Sequence, residues 1–148
     1  MKADRIARLS IEKFEAGNVD VDAFDHEAHV YIAWLYLKTF PRAQAAARFC
    51  AALRRLTERV GVPARYHETI SRFFLELIAR RRDTAAARDW PAFRRENDDL
   101  CSGAAELLQR HYSPELLSSE RARTSFVMPD RRVEQTALRT GLRSRPDR

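Results

Sequence analysis

The sequence predicts an all-α fold: a compact bundle of three long helices, shorter C-terminal helices and a basic tail. Three observations predict it. Glycine, which weakens helices, occurs only four times in 148 residues, while the helix formers alanine, leucine and arginine abound. Apolar residues recur at steps of three and four through residues 23–82. No stretch alternates apolar and polar residues as a half-buried strand does. The length fits one domain able to bury its own core. We place that domain at residues 1–130 and a flexible tail at 131–148.

Taken in order, residues 4–16 read as a short amphipathic segment, ended by "AGNVDVD". Asp22 is the expected N-cap of the first long helix, 23–39, with Asp25 as an acid in its first turn. Pro41 stops that helix, because the residue before a proline disfavours helical geometry. The second helix spans 42–60 on an apolar stripe through Ala45, Phe49, Leu53, Leu56 and Val60, and Gly61 ends it. Pro63 suits the first turn of a third helix over 63–82, whose apolar face carries Ile70, Phe73, Phe74, Leu77 and Ile78. Beyond it the pattern shortens. Asp89 caps a helix from Pro91, another covers 104–112, and Ser113 and Ser119 each cap a short turn.

The net charge of +6 is unevenly distributed. Residues 121–148 carry +5 of it, eight arginines against Asp130, Glu134 and Asp147. The remaining body is close to neutral, with charges of mixed sign as on solvated helix faces. That distribution, without interleaved aromatics or a recognition motif, argues against nucleic-acid binding. "VYIAWLYL" is too short to span a bilayer. Cys50 and Cys101 form no CxxC pattern and no disulfide framework, which fits a reducing, cytoplasmic setting.

"FDHEAHVYIAWLYL", residues 24–37, carries the chemistry. On the 23–39 helix, His26 and His29 share a stripe with Val30, Ala33, Leu37 and Phe40. On the 63–82 helix, His67 heads a similar stripe with Ile70, Phe74 and Leu77. In an up-down-up bundle the first and third helices run parallel. Their N-terminal ends then share one end of the bundle, and His67 approaches His26 and His29. Three neutral imidazoles in an apolar pocket hold a transition metal well, with iron or zinc favoured over copper. The pattern is HxxH, not the HExxH of zinc proteases. Glu68 is the expected supporting carboxylate or base and Tyr66 a candidate proton donor. His111, near a helix end, reads as a C-terminal cation. No phosphate loop and no GxSxG elbow is present.

Three phrases also carry a resemblance. Phe24, His26, His29, Ala33 and Trp34 form FxHxxHxxxAW. Tyr66, His67, Glu68 and Thr69 form YHET. Tyr112, Ser113, Leu117, Ser119, Ala122 and Arg123 form YSxxxLxSxxAR, followed by Pro129 and Asp130. Together they resemble a family of small, uncharacterised bacterial all-helical proteins over roughly residues 22–130. The resemblance implies that the three histidines, Glu68 and Thr69 belong to shared motifs. It implies that an aromatic is usual where His111 stands, and it brings no reaction.

The sequence therefore predicts a cytoplasmic metal-binding protein: a metalloenzyme of open reaction, with a small-molecule substrate and His26, His29 and His67 as ligands. Two alternatives stand beside it. One is a non-catalytic helical interaction module whose tail meets an acidic partner. The other is a metal-free small-molecule or anion binder using the histidines with Arg65 or Arg72.

Overall fold

The computed structural model describes residues 2–84 and 88–131, and every described regular element is helical. α1 (Lys2–Ala7) and α2 (Ile11–Glu15) precede the three long helices, α3 (His26–Thr39), α4 (Arg42–Arg59) and α5 (Glu68–Thr84). Five short helices follow: α6 (Trp90–Glu96), α7 (Asp98–Ser102), α8 (Ala104–Gln109), α9 (Pro114–Leu117) and α10 (Glu120–Thr124). The all-α expectation holds. The expected tail, 131–148, lies outside the described residues except for Arg131, whose backbone N–H donates to the His111 carbonyl.

Local chemistry explains the boundaries, including those the sequence reading misplaced. The expected 4–16 segment is two helices, because Ser10 is extended and its hydroxyl accepts from Lys13 N–H, capping α2. The cap of α3 is Asp25, not Asp22. Asp20 caps a 3-10 turn over Val21–Ala23, Phe24 leaves helical geometry, and the Asp25 carboxylate then accepts from Ala28 N–H at 3.0 Å. α2 and α4 end alike. Gly17 and Gly61 adopt φ of 76° and 80°, the left-handed region open to glycine, and the N–H groups beyond reach back to Lys13 and Thr57 carbonyls. The expected 63–82 helix is interrupted. Pro63 opens a 3-10 turn through Arg65, Tyr66 is extended, and α5 starts only at Glu68. His67 is its cap: Nδ1 accepts from Ile70 N–H at 3.2 Å. Asp89, Ser113 and Ser119 cap α6, α9 and α10 as expected.

α3 is buried on nearly every side, from Ala28 and Val30 to Tyr36 and Leu37, and packs against α2, α4, α5 and α7. A helix apolar all round belongs at the centre of a bundle. The Tyr36 hydroxyl, buried within this core, donates to Glu15 at 2.9 Å, and Arg48 grips the same carboxylate with two nitrogens, Nε and Nη2. That arrangement ties α2, α3 and α4 together, and burial pushes the Tyr36 hydroxyl's proton affinity up.

The C-terminal segment is clasped onto the start of α5. His67 Nε2–H donates to the Leu117 carbonyl at 2.8 Å. The Thr69 hydroxyl, fully buried, donates to Ser125 O and accepts from Val127 N–H. The Tyr112 hydroxyl donates to Val127 O at 2.7 Å, and Asp130 accepts from the N–H and hydroxyl of Ser113. Among the described residues no helix is long and apolar enough to cross a membrane.

Candidate functional site

The N-terminal ends of α3 and α5 and the C-terminal end of α4 enclose a cavity of about 600 Å³. His26, His29 and His67 all line it. Its walls are mainly apolar: Phe24, Ala33, Phe49, Leu53, Ile70 and Phe74 contribute. Among its lining residues Val21, Asp22, Val60 and Arg65 are exposed and mark the mouth. The volume and the balance of many apolar walls with few polar groups are those of a small-molecule site.

The three histidines are chemically unlike. His67 is fully engaged, because each ring nitrogen has a backbone partner, Ile70 N–H on one side and the Leu117 carbonyl on the other. His26 uses one nitrogen, Nε2, which donates to the Leu100 carbonyl of α7 at 2.9 Å. Its ring lies 5.0 Å from that of Phe74, edge to face. His29 has no hydrogen-bond partner for either nitrogen among the described residues. Its ring sits 4.5 Å from Phe24 and 6.3 Å from His26. Burial, then the neighbouring His26, push the His29 pKa down to about 4. Burial likewise lowers that of His26, against the opposing Leu100 carbonyl. Desolvation disfavours a charged imidazolium, so His29 is a neutral base at physiological pH.

The expected supporting groups lie elsewhere. Glu68 is absent from the cavity lining. Its carboxylate accepts from the Tyr66 hydroxyl at 2.5 Å and pairs with Arg54 and Arg72 at 3.4 and 3.5 Å. The Tyr66 ring walls the cavity, but its hydroxyl is committed to Glu68. Burial and that hydrogen bond raise its pKa, so it holds its proton. No group of three or more His, Cys, Asp or Glu side chains is placed to hold a metal ion among the described residues. His111 sits just past α8, as expected of a helix-end residue. It is buried against Phe73, and Nδ1 donates to the Leu107 carbonyl. Cys50 and Cys101 are unpaired, and burial raises both thiol pKa values, Cys101 to about 11. Neither is thiolate-activated.

Sequence reasoning missed two contributors. The last turns of α4, Leu53 to Val60, read as plain core but form a cavity wall. Val60, an apolar residue at the helix end directly before Gly61, was the available signal. The Leu100 carbonyl, which fixes the His26 ring, left no signal, since a backbone atom 74 residues away has none. Comparison of the chain with protein-family models, curated proteins and solved structures finds no match in any of the three.

Proposed function

We propose that this protein binds a small, mainly apolar molecule in the cavity, with His26 and His29 receiving its polar end. The observation that carries the reading is His29: a neutral imidazole whose nitrogens have no partner among the described residues, lining a mainly apolar cavity of about 600 Å³. His29 is half-buried, so its nitrogens are open to a hydrogen bond from a molecule seated in the cavity, worth roughly 1 kcal/mol net. An anion is a poorer fit. Arg72 is occupied by Glu68, and Arg65 shares the cavity's mouth with the carboxylate of Asp22. Cytoplasmic residence and catalysis on the bound molecule are compatible with this reading and are not needed for it.

The test uses naphthalene as an apolar probe and isothermal titration calorimetry. Saturable one-to-one binding is expected, weakened by about tenfold or more in cavity-filling Ala33→Phe and Ile70→Trp variants that keep the wild-type helical circular dichroism. Absence of saturable binding, or binding untouched by both substitutions, removes the reading.

One observation favours a second reading, a metal centre. A backbone carbonyl on His26 Nε2–H is the arrangement that orients an imidazole for coordination through its other nitrogen. His26 and His29 supply two ligands, whereas catalytic zinc sites commonly use three from the protein. Donors from the bound molecule or water complete such a centre, and iron or zinc remains the favoured ion. His67 joins it only by releasing Ile70 and Leu117. Elemental analysis of wild type and a His26→Ala/His29→Ala variant separates the readings. Stoichiometric metal lost in the folded variant supports this centre; none in either, after reconstitution with iron or zinc, removes it.

A further inference from the structure

The hydrogen-bonding capacity of the two open histidines narrows the class of molecule. A carbonyl oxygen can only accept, so the His26 nitrogen facing Leu100 O carries the proton. In the neutral ring the other nitrogen, Nδ1, is then a bare acceptor. His67 has nothing left to offer, since Nδ1 accepts from Ile70 and Nε2–H is spent on Leu117. His29 offers one donor and one acceptor. The Tyr66 hydroxyl is directed to Glu68, and Thr57 donates to the Arg54 carbonyl, which leaves its oxygen as an acceptor. Ser71 supplies one adaptable hydroxyl. The histidine pair thus presents two acceptors and one donor, with no formal charge.

Few functional groups match that set. A ketone, ether or carboxylate only accepts, and would meet the His26 lone pair with another lone pair. A carboxylate or ammonium would in addition bring a charge into a mainly apolar cavity whose two charged lining residues, Asp22 and Arg65, are exposed at its mouth and opposite in sign. A neutral amide also donates and accepts, but from two separate atoms, whereas a hydroxyl group does both through one oxygen. We propose that the cavity's ligand is an uncharged alcohol or phenol on an apolar skeleton. Its O–H donates to His26 Nδ1 and its oxygen accepts from the His29 N–H. This inference rests on the small-molecule reading of the cavity and adds the identity of the polar group.

The test compares 2-naphthol, naphthalene and 2-naphthoate by calorimetry at pH 7.5, on wild type, His29→Leu and the His26→Leu/His29→Leu variant. In wild type 2-naphthol is expected to bind about tenfold tighter than naphthalene, the worth of well-made buried hydrogen bonds. In each protein the naphthol-to-naphthalene affinity ratio is the readout, whatever the absolute affinities, and it should fall in the single variant and approach one in the double. The single variant carries the comparison if the double does not fold. Equal affinity for naphthol and naphthalene in wild type, tighter binding of 2-naphthoate, or a naphthol preference that survives the substitutions overturns the hydroxyl assignment. In each of those outcomes naphthalene still binds, so the cavity reading stands. Failure of naphthalene to bind wild type removes both.

Discussion

His29 is where the physics of a single residue is sharpest. Its pKa is about 4 in the folded chain against an ordinary 6.5, mainly through burial. Between those values the unfolded chain takes up a proton that folded His29 refuses. Its contribution to stability is therefore complete above pH 6.5 and declines as pH falls towards 4. Urea unfolding of wild type should lose about 2 kcal/mol more than His29→Leu between pH 7.5 and 5. Equal losses in the two proteins would show His29 to be solvated. Thr69 is the second telling residue. Thr69→Val keeps the shape but strips hydrogen bonds from Ser125 O and Val127 N–H. It should cost about 1–2 kcal/mol, because two backbone groups lose their partner. Faster amide exchange at Val127, read by NMR, checks the mechanism. His26 and His29 were legible as residues on the α3 stripe, and His67 as the head of a similar one. Their unlike roles were not, because a ring's free nitrogen depends on which distant carbonyl takes the other.

At the scale of elements, the chain is segmented by its caps. Asp25→Ala removes the side-chain acceptor at the start of α3 and should cost about 1 kcal/mol in urea unfolding. The motifs around residues 66–69 and 112–130 prove to be two halves of one clasp, His67 at the cap of α5 and Thr69 in its first turn holding the strap from α9 to Val127. Hydrogen exchange read by mass spectrometry should separate the histidines by element. His67→Ala should speed exchange over residues 114–127, whereas His26→Ala should speed it over α7, whose Leu100 carbonyl it binds. Identical exchange maps for the two variants would contradict this division of labour. The long helices and most caps were legible because both are local: a 3.6-residue period and a side chain reaching three residues on. The break at Tyr66–His67 was not, since a histidine cap looks like any other residue on an apolar stripe.

Over the whole molecule, the core is solid on one side and hollow on the other. Ile32 is fully buried away from the cavity, whereas Ile70 lines it. Ile32→Ala should cost about 2–5 kcal/mol, as closely packed core positions do. Ile70→Ala, whose side chain already borders open space, should cost under half as much in the same urea series. Comparable losses would mean that the cavity closes in solution. The hollow side is also where His29 stands, without a hydrogen-bond partner among the described residues, and the proposed binding role rests on that coincidence.

That the N-terminal ends of α3 and α5 lie together was an expectation from an assumed up-down-up topology; the sequence by itself determined the helical class, the three long helices and most of their caps. Each follows from periodicity and from side chains acting on their own backbone, which are local effects. Only the tertiary structure decided that a cavity lies between those ends, that His67 is spent as a cap and clasp, and that Glu68 faces Arg54 and Arg72 instead of the histidines. Those outcomes turn on which nitrogen meets which carbonyl 50 to 74 residues away. A donor–acceptor pairing over that distance is fixed by packing, and packing leaves no periodic trace in the chain.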